Sequence, residues 1–472
     1  MRRRQASLGL VIPVAIGLFF LTGNLPAQTV SELHIFTSTP DGAYPSAMLV
    51  QGRDGNMYGT TEQGGANTCN VQGYITGCGT IFRMDTVGNV TLLHSFDGTD
   101  GSIPQGVILA SDGYFYGAAA ENGANGFGTL FRMSAGGAFT KLYDFSGGVD
   151  GRYPQDQLLQ ASDGNFYGFT EDGMYRATPA GTVATIYAFT GYPVTYNKSP
   201  LIQATDGFLY QSMAGGWCHG SICPCGSIVK FNLQGQQLSQ HDFSCFNTSS
   251  GEGPFSPVTE GTDGSFYGTC VWGGSGGRGT AFRLDARTLG LTLLHSYDVT
   301  SEEPNTGVVQ ASDGNFYGVV QLSSLAYSGE VFQLTPDGKY TELAGLPYHG
   351  EDFPYWKLLA HTNGKFYSVI DGAENQPGYY GSAYSFDNGF APFITFVQPR
   401  GRVGGTAQIL GQGLRGTWAV TFNGIPATSF KVISDTYMTA VVPGGATTGP
   451  VVVSTPSGLL TSNRKFQIVH GH

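Results

Sequence analysis

The chain has 472 residues, a net charge of −11, 72 glycines and only 12% charged residues. This length exceeds what one ordinary core supports, so we expect at least two folding units or a closed array of repeats. The aromatic content of 13% excludes a disordered chain. The acidic composition argues against nucleic acid and anionic membranes as partners. Abundant glycine combined with abundant aromatic residues predicts an all-β protein.

The N-terminus has the layout of a secretory signal peptide. Three arginines precede an apolar run over residues 8–21, and a small-residue stretch ends at Ala27. We predict that residues 1–27 are a signal peptide and that the mature chain is exported to the periplasm, cell surface or medium. The alternative is a retained membrane anchor, but the run is short and contains Pro13. After cleavage we expect no membrane insertion.

One sequence core, of the type Asp-Gly-Asn-Phe-Tyr-Gly, occurs seven times. Its spacing of about 51 residues accommodates four short strands, the content of one propeller blade. We therefore predict a seven-bladed β-propeller over residues 28–390. The seven copies span Asp54–Gly59, Asp112–Gly117, Asp163–Gly168, Asp206–Gln211, Asp263–Gly268, Asp313–Gly318 and Asn363–Ser368.

The phase of the repeat predicts how the ring closes. In each copy an apolar strand precedes the Asp-Gly turn, the Phe-Tyr strand follows it, and two further strands complete the repeat. The chain begins with a lone strand of the fourth type, Glu32–Phe36, and its seventh repeat ends on a strand of the third type, Gly381–Phe386. We expect the N-terminal strand to complete the seventh blade and to hide two strand edges.

The strings Gly-Thr-x-Phe-Arg, Phe-Ser-Gly-Gly and Ala-Ser-Asp-Gly-Asn-Phe-Tyr-Gly recur between about residues 32 and 390. In these strings the chain resembles the GloVer tandem repeats of exported bacterial proteins of the choice-of-anchor type. The resemblance implies export and a repeat architecture, and it implies no established activity.

From Ala391 the period disappears. About seven short strands separated by Gly and Pro turns are typical of a β-sandwich. Segments such as Val420–Thr428 and Ala440–Pro443 make this region resemble an IPT/TIG domain, an immunoglobulin-like fold. The resemblance predicts such a domain over residues 391–472 and implies a spacer or interaction module.

The recurring Asp of the Asp-Gly turns invites a calcium or catalytic interpretation. However, Asn363 replaces it in the seventh repeat, and turn chemistry accounts for both residues. No nucleophile elbow, zinc-protease motif or phosphate loop is present in the sequence, so we predict no cofactor and no metal. Any activity should then lie in residues that break the repeat.

Seven cysteines in an exported chain favour disulfides. Cys69 and Cys78 lie in one long insertion of the first repeat, and we predict that they pair. One cysteine must remain unpaired. Zinc binding is the alternative for the cluster in residues 218–225, and export makes disulfides the preferred interpretation. The candidates for further disulfides are Cys218, Cys225, Cys245 and Cys270, the last two as a pair across the junction of repeats four and five.

The long connections between second and third strands and between fourth and first strands should share one face, where variable loops on a rigid scaffold can build a binding site. Acidic groups beside an aromatic ring suit a sugar or a cation, and a solvated acidic rim is the alternative. The candidate ligand residues on this loop face are Glu62, Glu121, Glu171, Trp272, Gln321 and Asp371.

Two functions are compatible with these features. The first is a non-enzymatic exported binding or cell-envelope interaction protein, with an extracellular glycan or an envelope protein as partner. The second is a secreted carbohydrate-active hydrolase or lyase that uses two carboxylates of the loop face. A purely structural role is the third interpretation.

Overall fold

The computed structural model describes residues 28–45, 47–189, 199–214, 225–243, 251–298, 303–321, 329–347, 349, 357–372 and 378–469. Every regular element in these ranges is a β-strand. This part of the chain contains no helix with the length and hydrophobicity needed to cross a bilayer. The predicted signal peptide lies outside the described residues.

The first domain consists of seven antiparallel sheets, here called repeats 1 to 7, each with its strands in chain order. Repeat 1 contains β2 (Ala43–Pro45), β3 (Val50–Gln51), β4 (Met57–Gln63), β7 (Thr80–Met84) and β8 (Val90–Ser95), with an inserted hairpin of β5 (Thr68–Val71) and β6 (Tyr74–Gly77). Repeat 2 contains β9 (Ser102–Leu109), β10 (Phe115–Glu121), β11 (Thr129–Met133) and β12 (Phe139–Asp144). Repeat 3 contains β13 (Gln155–Gln160), β14 (Phe166–Phe169), β15 (Gly173–Ala177) and β16 (Val183–Ala188).

The remaining repeats have the same strand order. Repeat 4 contains β17 (Ile202–Gln203), β18 (Leu209–Met213), β19 (Ser227–Phe231) and β20 (Gln237–Asp242). Repeat 5 contains β21 (Thr259–Glu260), β22 (Phe266–Cys270), β23 (Thr280–Leu284) and β24 (Leu291–Ser296). Repeat 6 contains β25 (Val309–Gln310), β26 (Phe316–Gln321), β27 (Gly329–Leu334) and β28 (Tyr340–Gly345). Repeat 7 contains β29 (Leu359–Ala360), β30 (Phe366–Ile370) and β31 (Ser382–Asp387).

The N-terminal strand β1 (Thr29–Ile35) completes repeat 7, as its sequence type predicted. It pairs antiparallel with β31, from Thr29 opposite Asp387 to Ile35 opposite Ser382. The first and last strands of the domain therefore share one sheet, and the arrangement is an all-β, propeller-like ring.

The Asp-Gly turn and the motif Tyr form a repeated polar unit. The turn glycine has a φ between 81° and 91° in all seven copies, a conformation that favours glycine. The turn Asp accepts a backbone N–H two residues later, and its other oxygen accepts the hydroxyl of the Tyr four residues later at 2.7–2.9 Å in six repeats. The Asp is therefore a structural residue that positions a buried Tyr.

That Tyr ring carries the packing from one repeat to the next. Tyr58 stacks on Phe115 of repeat 2 with 4.0 Å between ring centroids, and Tyr267 stacks on Phe316 of repeat 6 at 3.9 Å. Repeats 2, 4 and 6 make the same contact. An aliphatic or thioether side chain replaces the Phe after repeats 3 and 7 and lies in the same core as the Tyr.

Repeat 7 explains why Asn can replace Asp. Opposite the motif Tyr, the third strand carries Arg, Lys or Gln in repeats 1 to 6. In repeat 7 the residue opposite Tyr367 is Ser385, so the carboxylate and the facing cation are lost together. Asn363 donates its amide N–H to the Tyr367 hydroxyl at 2.8 Å.

The C-terminal domain is a sandwich of two four-stranded sheets around its own core. One sheet has the order β32-β34-β38-β37 and the other β36-β35-β39-β40, while β33 pairs with β41. The strands are β32 (Thr395–Phe396), β33 (Arg400–Gly401), β34 (Thr406–Leu410), β35 (Ala419–Phe422), β36 (Ile425–Pro426), β37 (Ser429–Val432), β38 (Tyr437–Val441), β39 (Val451–Thr455), β40 (Gly458–Thr461) and β41 (Gln467–Ile468).

The hydrogen bond between the turn Asp and the motif Tyr can be tested in repeat 5. Asp263→Ala removes the acceptor of the buried Tyr267 hydroxyl and should lower the free energy of unfolding by about 1–2 kcal/mol. Asp263→Asn should cost less, because an amide can donate to the hydroxyl as Asn363 does. Urea and thermal unfolding measure both, with Asp337→Ala in a turn of repeat 6 as the control. An Asn variant as unstable as the Ala variant would contradict the assignment.

Candidate functional site

The first strands of the seven repeats surround a common axis. The residue five positions before each turn Asp or Asn is buried between sheets. The next residue points the other way, as strand alternation requires. It is half-buried in all seven repeats and faces a cavity. We call these seven residues the axial ring: Val50, Ile108, Leu159, Ile202, Thr259, Val309 and Leu359.

The C-terminal domain lies over one end of this axis, on the face of the Asp-Gly turns. Its side chains donate hydrogen bonds to carbonyl oxygens of the turn segments. Gln408 Nε2 reaches Ser111 O at 2.7 Å, and Lys465 Nζ reaches Thr262 O at 2.7 Å. Further contacts reach turn segments of repeats 1, 3, 4 and 7. The domain is therefore docked on the ring at six of the seven repeats.

A cavity of about 640 Å³ lies between the axial ring and residues 395–400 and 463–467 of the C-terminal domain. This volume falls within the range of small-molecule sites, which are mostly apolar with a few placed polar groups. The first strands of all seven repeats contribute to its wall. We call it the axial cavity.

Glu260 is one of two carboxylates that line the axial cavity, the other being Asp263 of the same repeat. Gln51, Gln160, Gln203 and Gln310 occupy the position of Glu260 in other repeats, and their side-chain oxygen accepts a backbone N–H from the turn of the preceding repeat. Glu260 makes the same contact, accepting Thr205 N–H at 2.8 Å and the Thr205 hydroxyl. Burial raises the pKa of this carboxyl despite those bonds.

Two arginines of the C-terminal domain line the axial cavity. Arg400 donates to Gln203 O and Ala204 O, each at 3.0 Å. Arg464 lines the axial cavity, and although many protein atoms surround its guanidinium group, the residue is exposed. Burial lowers the pKa of both guanidinium groups, and the charge of Glu260 opposes that shift. Among the described residues, no acceptor forms a hydrogen bond with the Arg464 guanidinium.

Two long side chains cross the opposite end of the first strands, each over the glycine of an intervening repeat. Lys357 of repeat 7 extends past Gly307, and its Nζ donates to the Thr259 hydroxyl of repeat 5. Gln157 of repeat 3 extends past Gly106 of repeat 2 and donates to a repeat 1 carbonyl oxygen at 3.1 Å. At Gly106, which has a φ of 92°, a Cβ would lie only 3.2 Å from Gln157 Cγ; at Gly307 a Cβ would lie 3.0 Å from Ser256 Cβ and in ordinary contact with Lys357 Cδ at 3.7 Å.

Lys357 is a cation of the cavity with a strongly lowered pKa. Burial, and then the charge of Arg464, lower the pKa of its ammonium group to about 7. The axial cavity is thus lined by four cations, Lys357, Arg400, Arg464 and Lys465, against two carboxylates, Glu260 and Asp263. Enclosed charges of one sign in excess make a site that attracts an anion.

The residues predicted for the loop face lie on six different repeats, and at least five of them have partners outside the set; Asp371 Oδ1 accepts the Gly372 N–H at 2.9 Å. Glu121 accepts Gln72 Nε2 at 2.8 Å, and Glu171 pairs with Arg152 at 3.4 Å. The Gln321 side chain accepts an N–H from Asn305, and Trp272 packs edge-on against Phe255. Glu62 lies near the end of β4, and Asp371 follows β30. The axial cavity lies elsewhere, at the common axis of the repeats.

Residues 17–222 and 196–429 match the model of the Gloeobacter/Verrucomicrobia repeat family. The chain belongs to this family. No curated protein matches the sequence of this chain significantly.

Among solved structures, the family member is similar to virginiamycin B lyase from Staphylococcus aureus, with 13% identity over 76% of this chain and 99% of the lyase and a TM-score of 0.49. It is also similar to the periplasmic gluconolactonase of Pseudomonas aeruginosa, with 17% identity over 67% and 96% of the two chains and a TM-score of 0.46. These similarities concern the fold alone.

The cavity residues were missed at the level of sequence, although two of them break the repeat. Glu260 stands where four other repeats carry Gln, and Lys357 stands where other repeats carry Met, Gly, Gln or Pro. Alignment of the seven first strands to one another would have singled out both residues. Arg400 and Arg464 carry no such signal, because their meeting with the ring depends on how the domains dock.

The cysteines divide into paired and free. Cys69 and Cys78 form a disulfide, as predicted from their insertion. Cys225 is also disulfide-bonded. Cys270 is free and fully buried, so the predicted pair with Cys245 is wrong. Its side chain points into the core beside repeat 5, where other repeats carry buried Thr, Ala, Val or Ile. The other cysteines of the family member, Cys218, Cys223 and Cys245, lie outside the described residues.

Cys270 should resist alkylation in the folded protein. Burial raises the pKa of its thiol, so both access and thiolate are lacking. Iodoacetamide should leave the peptide containing Cys270 unmodified under native conditions and should alkylate it in concentrated guanidinium chloride. Peptide mass spectrometry measures both states. Rapid native alkylation would contradict the buried position.

Lys357→Met should stabilise the family member at neutral pH, because replacing an enclosed charge with an apolar side chain is often favourable. The folded pKa of about 7 lies below the ordinary value of 10.5, so the unfolded chain binds more protons between these pH values. The gain should be largest below pH 7 and fade towards pH 10.5. Unfolding temperatures across this range test it, with exposed Lys339→Met as the control. A gain that does not vary with pH would contradict the shift.

Proposed function

We propose that the protein is an exported, non-enzymatic binding protein that holds a small-molecule ligand in the axial cavity. The observation that carries this proposal is a cavity of about 640 Å³ with an apolar ring and an excess of cations in its wall. Buried charge costs free energy, and natural proteins keep such groups mainly where function needs them.

The proposal includes a finer assignment of the fold. The seven sheets, the packing of each motif Tyr on the next repeat and the pairing of β1 with β31 support a seven-bladed β-propeller. Two four-stranded sheets around one core, together with the Gly- and Pro-punctuated sequence, support an immunoglobulin-like IPT/TIG domain. In this assignment the IPT/TIG domain closes the propeller axis.

Export is part of the proposal. The disulfide between Cys69 and Cys78 and the disulfide-bonded Cys225 favour an oxidising compartment, because such bonds do not persist in a reducing cytosol. The layout of residues 1–27 favours the secretory route. An extracellular partner, such as a glycan or envelope protein, is compatible with the loop face.

A secreted carbohydrate-active hydrolase or lyase is the second candidate, and Glu252 is the observation that favours it. Glu252 forms an antiparallel bridge with Trp272, and burial raises the pKa of its carboxyl. A carboxyl group with a raised pKa beside an aromatic side chain is suited to donating a proton. Turnover of glycans that disappears in Glu252→Gln but persists in Glu171→Gln would support this candidate.

Cavity filling tests the proposed binding function. Small molecules from a panel are ranked by how much each raises the unfolding temperature of the protein. Calorimetry then confirms the binding of those that raise it most. Val309→Trp and Ile202→Trp place a large ring inside the axial ring and should each abolish the shift caused by a bound ligand. Val149→Trp, at a side chain that is 96% exposed, should bind as the wild type does.

Equal ligand binding by the two filled variants and the wild type would place the site elsewhere and overturn the proposal. Turnover of the bound ligand by the wild-type protein would overturn the non-enzymatic part. The same panel contains oligosaccharides, so that binding at the loop face is detected by its persistence in the filled variants.

A further inference from the structure

We propose that the axial cavity binds an amphipathic organic carboxylate, whose carboxylate group is held by Lys357 and Arg464 and whose apolar body lies against the axial ring. This inference rests on the proposed function and assigns its ligand class. Three features support this ligand class: the charges of the cavity, the apolar axial ring, and the position of the two cations in different domains.

The charges of the cavity favour an anion. Glu260 is engaged by both donors of Thr205, and Arg400 is engaged by two carbonyl oxygens. Lys357 uses one of its three possible donors on the Thr259 hydroxyl. Arg464 lines the same cavity and has no hydrogen-bond acceptor among the described residues. Donors on these two side chains therefore remain for a planar anion, which arginine binds in a forked geometry.

The axial ring selects the body of the ligand. Six of its seven members are aliphatic, and the seventh, Thr259, already accepts from Lys357 and donates to Val308 O. Against the six aliphatic members of the ring a sugar acid would bury hydroxyl groups without partners, which is unfavourable; polar lining side chains such as Asn463 and Gln467 belong to the C-terminal domain. An alkyl or aryl body instead gains the free energy of burying apolar surface.

The two cations come from different domains, which gives the ligand a second effect. Lys357 precedes β29 in repeat 7, and Arg464 lies between β40 and β41 of the C-terminal domain. A carboxylate held by both side chains links the C-terminal domain to the ring. Binding should therefore reduce proteolysis of the segment between residues 387 and 395 that joins the domains.

Calorimetric titrations into the full mature chain test the carboxylate group and the apolar body of the ligand separately. The ligands are octanoate, octanamide, octylamine and gluconate. We expect octanoate to bind about tenfold or more tightly than octanamide, which corresponds to about 1.4 kcal/mol for the charge contact. Gluconate and octylamine should not bind. Octanoate binding at pH 8 should take up protons, because the carboxylate raises the pKa of Lys357 from about 7. The other charged groups that line the cavity are the cations Arg464, Arg400 and Lys465 and the carboxylates Glu260 and Asp263.

Arg464→Met and Lys357→Met should each weaken octanoate about tenfold or more while leaving octanamide unchanged. Lys357→Met should also abolish the proton uptake, which a purely structural role would not do. Arg464→Lys retains the charge and should recover part of the affinity. Arg415→Met and Lys339→Met, at exposed positions, are the matched controls, and unfolding temperatures establish that each variant is folded.

The outcomes separate this inference from the proposed function. Equal affinity for octanoate and octanamide, lost in Val309→Trp, would overturn the carboxylate assignment and retain the cavity as a binding site. No binding of octanoate by the folded wild type would also overturn the assignment, while another ligand blocked by Val309→Trp would keep the proposed function. Octanoate binding unaffected by Val309→Trp and Ile202→Trp would overturn both.

Discussion

The bond between the turn Asp and the hydroxyl of the motif Tyr is the interaction on which the ring depends. It fixes a large ring that is buried in every repeat and presents its face to the next repeat. Because each Tyr is held by its own turn and packs on its neighbour, every repeat is oriented by the one before it. The identical offset, repeated seven times, returns the chain to its starting strand, where β1 pairs with β31.

The same geometry creates the axial cavity. Strand alternation sends one residue of each first strand between the sheets and the next towards the axis. Seven sheets around one axis leave more room than seven medium-sized side chains fill. The Gln or Glu that ends most first strands ties each repeat to the previous turn, and the backbone carbonyls of those turns accept the C-terminal domain. Scaffold and candidate site therefore use adjacent residues of one strand.

Much of the fold could be predicted from the sequence because it is local and repeated. The turn chemistry, the four-strand repeat, the N-terminal closing strand and the disulfide of Cys69 follow from patterns within about 60 residues. The role of Cys270 was predictable in principle, since the same position in other repeats is occupied by core residues. Its pairing was mispredicted because proximity along the chain was given more weight than strand alternation.

The site was harder to predict because it depends on contacts distant in sequence. The candidate residues of the loop face share nearly the same offset in their repeats, whereas in the structure at least five of the six side chains have partners outside the set. Lys357 and Glu260 are separated by nearly two repeats and act together only around the axis. Arg464 joins them through domain docking, which no periodic pattern encodes.

The pairing of β1 with β31 has a consequence for how the chain acquires its structure. The two strands lie about 350 residues apart, so their ladder is among the most non-local contacts available to the protein. Repeats 1 to 6 can assemble on one another as they emerge, each templating its successor through local hairpins. The seventh sheet must wait for both ends of the domain. Until then the edge of β31 is open to strands of other molecules, and the interval before closure is when the nascent protein is most exposed to aggregation.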